Sequence, residues 1–386
     1  MQLVADFKKI KFHKGLLELY AGKLLIEFGA DILGVFFSIF LYQQYKSLNL
    51  VILFFFVSHL AYAVTVPWGA KLMNKLGMKQ SLLWSVLARL FILLAFYFFS
   101  QNIFFYTIIA LVSLTMMRNL FWVPFHTESA RLSDKGQRGK QFSILFAVTA
   151  ILGVLAPLVA GFVLDKWNFQ VIVLIAIFFC LLSLWPLLKV EESQEKFSWT
   201  IKETWHNFFH PFNRRLVLAC MSDGFVNLVQ NIFWPLFIFS ILQEQYRAMG
   251  LLTALILLVS VILHLFIGSL LDNWKKAKVL HIGVTVNASA WFFKALVSSG
   301  LQIFLVSTYH ALAIIILHNS FNTMIYERTA DQGHYIDEYT VLREMADGFG
   351  RIVGLVLIFL LLLFFPLQAV FVLAGLVALF INLLKE

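Results

Sequence analysis

Long apolar segments alternate with short polar connections along the whole chain. A helix needs roughly 20 apolar residues to cross a hydrocarbon core of about 30 Å, and segments of this length recur here. The pattern predicts an all-α integral membrane protein with twelve transmembrane helices and excludes a membrane β-barrel. We place the helices near 17–42, 49–73, 80–99, 102–126, 141–164, 168–189, 214–242, 248–271, 279–299, 302–326, 341–364 and 366–384.

One long polar interruption, residues 190–213, divides these helices into two sets of six. We therefore expect an N-terminal six-helix bundle over 1–189, a cytoplasmic linker, and a C-terminal six-helix bundle over 214–386. Within the linker, residues 201–209 carry apolar side chains at helical spacing among charged ones, which is typical of a helix lying in the membrane interface. A partly ordered linker fits the same residues.

Composition and charge agree with a membrane protein. The chain is 61% hydrophobic and only 13% charged, which a soluble domain of this length would not tolerate on its surface. The net charge of +9 is concentrated near the N-terminus and in alternate connections, so a nucleic-acid partner is not expected. By the positive-inside rule, those connections and both termini are cytoplasmic, which predicts a multi-pass protein of the cytoplasmic membrane.

A short basic phrase is repeated at the matching loop of each half. It reads from Ala70 to Lys79 after the second helix and from Gly268 to Lys276 after the eighth, with a small residue, Leu and Asn or Asp at one spacing. An internal duplication in a polytopic protein is typical of secondary transporters.

Over its whole length the chain resembles the major facilitator superfamily. In that family the loop after the second helix has a small residue, Leu, an acid, a base, Gly and further basic residues. The corresponding residues here are Ala70, Leu72, Asn74, Lys75, Gly77 and Lys79. Asn74 replaces the usual acid, whereas Asp272 keeps it in the second copy.

Two further segments carry the resemblance. Arg118 and the exit of the fourth helix resemble the family's fourth helix, and Gly153, Ala156-Pro157 and Gly161 resemble its antiporter motif. The resemblance implies two pseudo-symmetric bundles around one central site that opens alternately to each side. Our hypothesis is that the basic loops and the charged entry of the eleventh helix close the inner side by charge and helix-end contacts. The gate residues that we expect are Asn74, Lys75, Gly77, Glu128, Arg131, Arg138, Asp272, Arg343 and Asp347.

Ionisable residues inside the helices are the first candidates for function, because they are costly in a membrane unless they face a cavity or a partner. Lys23, Glu27 and Asp31 are spaced by four and share one face of the first helix. A carboxyl removed from water can exchange a proton near neutral pH, so Glu27, Asp31 and Asp223 are predicted to couple transport to protons. The alternative is a structural Lys23–Glu27 pair with Asp31 satisfied by a polar neighbour.

Polar and aromatic residues in the middle of other helices are predicted to bind the substrate. Arg118 could pair with Asp31 or Glu27, or hold an anionic group of the substrate. The amides could instead form hydrogen bonds between helices. The predicted substrate-binding residues are Arg118, Trp122, Asn227, Asn231, Trp234, Trp291, His318 and Asn322. Roles for Lys23, Arg89, His264 and Lys294 stay open between function and structure.

The sequence contains no phosphate-binding loop and no paired metal-ligand spacing, so neither an enzyme nor a cofactor is expected. We predict a monomeric secondary active transporter that moves a small organic solute, coupled to protons and in contact with membrane lipids. The acidic first helix and the aromatic residues favour efflux antiport of lipophilic or cationic compounds. The alternatives are proton symport for uptake of a polar nutrient, such as a sugar or carboxylate, and a transport-inactive lipid-handling or sensor protein of this fold.

Overall fold

The computed structural model describes residues 13–132, 138–192, 197–271, 275–330 and 336–384, and these are almost entirely helical. Side chains are described throughout these ranges except at 130, 138–140, 142–147, 265–271, 326–330 and 336–337. The α-helices in chain order are α1 (Lys14–Tyr45), α2 (Leu48–Leu76), α3 (Met78–Tyr97), α4 (Ile103–Leu132), α5 (Arg138–Lys166), α6 (Phe169–Leu187), α7 (Ile201–Phe209), α8 (Arg214–Leu228), α9 (Trp234–Ile241), α10 (Tyr246–Leu271), α11 (Lys276–Ala295), α12 (Gly300–Ala330), α13 (Ile336–Leu362) and α14 (Gln368–Ala378). A π-helical turn, Val229–Phe233, joins α8 to α9, and a 3₁₀ segment, Leu379–Leu384, extends α14.

In the described part of the chain, ten helical segments are long and apolar enough to cross a membrane. The segment Gln368–Leu384 is apolar but shorter. Helix α11 has the length of a crossing and carries three lysines, which lower its hydropathy. The predicted all-helical membrane fold is confirmed, and the segments are consistent with twelve crossings. Most helices extend a few residues beyond the predicted apolar runs, because their polar ends reach past the hydrocarbon core.

The described part of the chain begins and ends on the same side of the bundle, which we call the termini face. Gly15 at the start of α1 lies against Leu132 at the end of α4, and Asn74 near the end of α2 forms hydrogen bonds with Phe197 of the linker. The start of α1, the ends of α2 and α4 and the linker therefore lie on that side. On the opposite face, Tyr45 is hydrogen-bonded to Thr107 at 2.7 Å. The chain therefore crosses back and forth between two well-separated layers of connections.

The two halves meet where glycines let backbones approach closely. A Cβ at Gly161 of α5 would lie 2.9 Å from the Cα of Gly250 in α10 and 2.9 Å from the carbonyl oxygen of Tyr246. Across the other junction, a Cβ at Gly348 of α13 would lie 2.6 Å from the Cβ of Ala63 in α2. Small residues at such crossings allow van der Waals packing, which drives helix association in lipid. The predicted antiporter motif thus contributes Gly161 to the junction between the halves.

The short helix α7 covers the termini face. It begins with a capping box in which the Thr200 hydroxyl accepts from the Glu203 N–H, while the Glu203 carboxylate accepts from the Thr200 N–H. The hydrogen bond that the Thr200 N–H donates to the Glu203 carboxylate holds the pKa of Glu203 below its usual value. Phe208 packs against Phe349 of α13, whereas Phe209 is 74% exposed, so α7 has one face on the protein and one face outward.

Gly161→Ala should destabilise the protein by about 1–3 kcal/mol, because the new methyl group meets rigid backbone atoms of α10. Thermal unfolding of the purified protein in detergent would measure the loss. Gly153→Ala in the same helix is the matched control, since a Cβ at Gly153 meets nothing within 4 Å. Equal unfolding temperatures for the two variants would contradict the proposed close packing.

Candidate functional site

Arg118 of α4 is held among polar side chains of α2 in the middle of the bundle. Its Nη1 donates to the Ser58 hydroxyl at 3.0 Å and lies 3.3 Å from Nδ1 of His59. Its guanidinium carbon lies 5.8 Å from the centroid of the Tyr62 ring. Because Ser58, His59 and Tyr62 lie on one face of α2, that helix presents a continuous polar surface to α4.

Tyr62 connects this surface to the C-terminal half. Its hydroxyl donates to Oε2 of Glu344 in α13 at 2.8 Å, and the Tyr62 side chain is buried. Arg118 and Glu344 therefore approach the same tyrosine from opposite halves of the protein. A hydrogen bond to a charged carboxylate is roughly twice as strong as one between neutral groups, so this contact depends on the charge of Glu344.

Asp223 of α8 is the centre of the polar contacts within the C-terminal half. Its Oδ1 lies 3.1 Å from Nε2 of His318, and its Oδ2 accepts from the Asn227 amide at 3.0 Å. One turn further along α12, Asn322 accepts from Nη2 of Arg343 at 3.0 Å. Four predicted site residues therefore make polar contacts here. Asp223 of α8 contacts Asn227 and His318, and Asn322 of α12 contacts Arg343 of α13.

Asp347 lies beside these groups with part of its carboxylate unsatisfied. Its Oδ1 is buried and has no hydrogen-bond partner among the described residues. Its charge interacts with those of Arg343, Arg351, Asp223 and Glu344, so three carboxylates share two guanidinium groups. A buried carboxyl group in such surroundings is a candidate for proton binding. We refer to Arg118, Tyr62, Asp223, His318, Arg343, Glu344, Asp347 and Arg351 as the central cluster.

The acids of α1 lie on the side of the N-terminal half that faces α3 and α4. Lys23 pairs with Glu27 at 2.8 Å, and its ammonium lies 5.3 Å from the Phe125 ring centroid. Asp31 is half-buried and lies in the electrostatic field of Glu27, Lys23 and Arg89. The arginine beside Glu27 and Asp31 is therefore Arg89 and not Arg118, which binds Ser58 and His59 instead.

The predicted aromatic residues do not all lie in one place. Trp122 is half-buried and stacks on His126 with ring centroids 5.7 Å apart. Trp234 and Trp291 are buried together around Lys294, away from Arg118. Asn231 is exposed, because the π-helical turn changes the direction of the side chains that follow Asn227.

At the termini face, Asn74 binds the linker through both atoms of its amide. Nδ2 donates to the Phe197 carbonyl at 2.8 Å, and Oδ1 accepts from the Phe197 N–H at 2.9 Å. The next residue, Ser198, donates its N–H to Glu338 of α13 at 2.8 Å. The linker thus ties α2 of one half to α13 of the other. The departure from the family's acid at position 74 has a physical reason, since an amide offers a donor and an acceptor, whereas an ionised carboxylate offers acceptors alone.

The other predicted gate residues are placed as follows. Gly77 adopts φ +87°, a conformation that favours glycine, and lies against Glu192. Lys75 is exposed. Glu128 is fully buried and is paired at 2.9 Å with Arg131, one turn along α4. Asp272 and the side chain of Arg138 lie outside the described residues. His264, whose role was open, is exposed.

A family profile described as "Major Facilitator Superfamily" matches residues 19–337. The chain belongs to the major facilitator superfamily. Solved structures share the fold of this superfamily member. The nucleoside transporter NupG has a TM-score of 0.70 at 13% identity, over 96% of this chain and 99% of its own. A mutant of the peptide transporter POT, in complex with alafosfalin, has a TM-score of 0.71 at 11% identity, over 96% of this chain and 93% of its own.

Among curated protein sequences, none matches this chain significantly. At these identities the solved structures show the fold alone. The family match indicates a multi-pass membrane transporter of the secondary class.

Sequence reasoning did not single out Tyr62, Glu344, Glu338 or the Ser58–His59 pair. A signal for the pair was present, because two polar residues interrupt the apolar run of α2. Tyr62 follows one helical turn later on the same face. The sequence offered no sign that Glu344 would meet it, since the two lie 282 residues apart.

Asn74→Asp should weaken the contact between α2 and the linker by about 1–3 kcal/mol, because the second carboxylate oxygen would face the Phe197 carbonyl. Thermal unfolding in detergent and protease cleavage near the linker would report the loss. Gln80→Glu adds the same charge at an exposed position near the same face and serves as control. If both variants lose equal stability, the added charge and not the lost donor is responsible.

Proposed function

We propose that this protein is a proton-coupled secondary transporter that moves a small organic solute by alternating access. The observation that carries the proposal is Asp347, whose carboxylate has a buried, unpartnered oxygen and shares two arginines with Asp223 and Glu344. A carboxylate oxygen that has no partner in a membrane interior is relieved when the carboxyl group binds a proton. We place this cluster in the cytoplasmic membrane, with the termini face towards the cytoplasm.

Proton binding in the central cluster can change the contact between the halves. With all three carboxylates ionised, Arg343 and Arg351 are shared among them. A proton on Asp347 frees both arginines for Asp223 and Glu344, whereas a proton on Glu344 weakens the hydrogen bond from Tyr62. The protonation state therefore biases how firmly α2 holds α13, and with it which side of the protein is open.

The N-terminal half supplies further candidates for proton coupling. Glu27 is engaged with Lys23, while Asp31 lies next to Arg89 without belonging to that pair. A proton on Asp31 would leave Arg89 with Glu27 as its acidic neighbour. We assign Asp31 the stronger role of the two, because its charge is less directly matched.

The substrate class that the structure favours is a lipophilic or cationic compound moved outward. A cavity of about 260 Å³ lies near the opposite face, where both halves contribute to its wall. Aromatic rings from α1, α10 and the α5–α6 connection line it, together with amides. The residues include Phe36, Phe40, Gln43, Trp167 and Tyr246. Such a wall suits release of a flat, apolar solute, and carboxylates deeper in the protein suit a cationic one.

Uptake of a polar nutrient by symport is the second candidate. Arg118 favours it, because the hydrogen-bonded partners of this guanidinium are the neutral side chains of Ser58 and His59. Such a cation can hold a carboxylate or another anionic group of a substrate. The amides of Asn227 and Asn322 would add hydrogen bonds to the same solute.

Asp347→Asn should abolish proton-driven transport while leaving exchange of substrate for substrate intact, because the neutral amide keeps the shape but cannot bind a proton. We expect at least about a tenfold loss of ethidium transport into proteoliposomes driven by a pH gradient, equivalent to about 1.4 kcal/mol. Asp165→Asn, at an exposed position of α5, removes the same charge and should transport normally. Unchanged gradient-driven transport in Asp347→Asn would rule out this residue as the proton carrier.

The direction of transport can be tested in everted membrane vesicles. Efflux antiport predicts that an energised vesicle accumulates ethidium and releases it when a protonophore collapses the gradient. The empty-vector membrane is the control. If ethidium is not moved and intact cells expressing the protein instead take up a labelled sugar or carboxylate with protons, the uptake proposal replaces efflux.

A further inference from the structure

Lys294 is a lysine in α11 whose side chain is fully buried. Its Nζ donates to Oε1 of Gln230 at 2.5 Å and lies 2.9 Å from Nδ1 of His310. The ring centroids of Trp291 and Trp234 lie 4.0 and 4.6 Å from the same nitrogen. An ammonium group in a membrane interior is expensive unless polar or aromatic partners replace water, and this site supplies both kinds.

His310 extends the contact to a second buried polar residue. Its Nε2 lies 2.8 Å from Oδ1 of Asn287, and both side chains are buried. Since Lys294 donates to Nδ1, the imidazole is neutral and carries its hydrogen on Nε2, which then donates to Asn287. The order of donors therefore runs from Lys294 through His310 to Asn287.

The site has no acidic counter-ion in the described part of the chain. His310 is the titratable side chain that touches Lys294. Of the other titratable groups on α12, Tyr309 lies with its hydroxyl 2.9 Å from that of Ser289. His318 lies eight residues from His310, roughly 12 Å along the helix, and is paired with Asp223. The other elements at this level are α14, which packs on α11, and α9 and the π-helical turn, which contact the Lys294 side chain; none of the three contains an ionisable residue. A lysine kept only for structural pairing would normally have a carboxylate partner when fully buried.

We propose that Lys294 and His310 form a proton-binding site in the C-terminal half. One mobile proton occupies it. The proton lies on Nζ, giving an ammonium beside a neutral imidazole, or moves to Nδ1, leaving a neutral amine that accepts a hydrogen bond from an imidazolium. In both forms Nε2–H donates to Asn287 and an N–H of Lys294 donates to Gln230. Departure of the proton leaves two neutral groups and the same hydrogen bonds, so the site can empty without leaving a buried donor unsatisfied.

The location of the site suggests its use, an assignment that rests on the proposed proton coupling. Gln230 and Asn227 are about one turn apart on the same span, and Asn227 donates to Asp223. Polar side chains therefore run from the central cluster towards the opposite face, ending at Lys294 close to the end of α11. Because side-chain amides do not relay protons, the site would be coupled to Asp223 through the shared span and not by direct proton transfer.

Nuclear magnetic resonance of the full-length protein in lipid nanodiscs tests the site directly. Histidine labelled with ¹³C at Cε1 and tryptophan labelled with ¹⁵N at the indole give signals that can be assigned with His310→Gln and Trp291→Phe. We expect the His310 and Trp291 resonances to move together in one step as the pH is raised from mildly acidic to alkaline. In Lys294→Met, which keeps the apolar stem without the ammonium, the Trp291 step should be lost.

Lys278→Met removes an exposed lysine from the same helix and should leave both titrations unchanged. Resonances of His310 and Trp291 that stay constant with pH in the wild-type protein would overturn the proposal, and this holds even if Lys294→Met fails to fold. An unaltered Trp291 step in a folded Lys294→Met protein would overturn it too. The titration needs neither substrate nor gradient, so its result is independent of the transport assay. If the His310 and Trp291 resonances do not change with pH while proton-driven transport is intact, the Lys294–His310 site is rejected and the proposed function is not.

Discussion

Lipid offers no partner to an ionised side chain, so every charge within the spanning helices has to find its partner inside the protein. This constraint explains the arrangement of the interior. Lys23 meets Glu27, Asp223 meets His318, and Arg118 lies on the hydroxyl and imidazole of α2. Asp347 and Lys294 are matched incompletely, and proton exchange is proposed for both of them.

The same constraint links chemistry to the relation between the halves. Two kinds of contact hold the halves together, namely backbone packing at small residues and polar bonds such as that between Tyr62 and Glu344. The packing at Gly161 and Gly250 is insensitive to charge, so it can act as a fixed pivot. The polar bonds change strength with protonation, so they can be made and broken during a transport cycle. A secondary transporter needs both properties in one junction.

Much of this could be predicted from the sequence, and the reasons are local. Hydropathy fixes which segments cross the membrane, and a helical period places Lys23, Glu27 and Asp31 on one face. The duplicated loop phrase reveals the repeat and therefore the superfamily. Residue pairing across the halves could not be predicted, because Tyr62–Glu344 and Asn74–Phe197 join distant positions with no periodic relation. The enclosure of Lys294 by Trp234 and Trp291 was also hidden, since hydropathy treats those tryptophans as ordinary apolar residues. The π-helical turn, which redirects Asn231, has no signal that sequence reasoning recognised.

The wider turn at Val229–Phe233 has a mechanical effect on the seventh crossing. One additional residue in a helical turn offsets all later side chains by about 100° relative to an uninterrupted helix. Residues before it, such as Asp223, are directed at α12 and α13, whereas Gln230 reaches Lys294 on α11. The same crossing therefore contacts both proposed proton sites. A rotation of this helix about its axis that breaks the Asp223–His318 contact would also displace the Gln230–Lys294 contact, so the two sites would rearrange together.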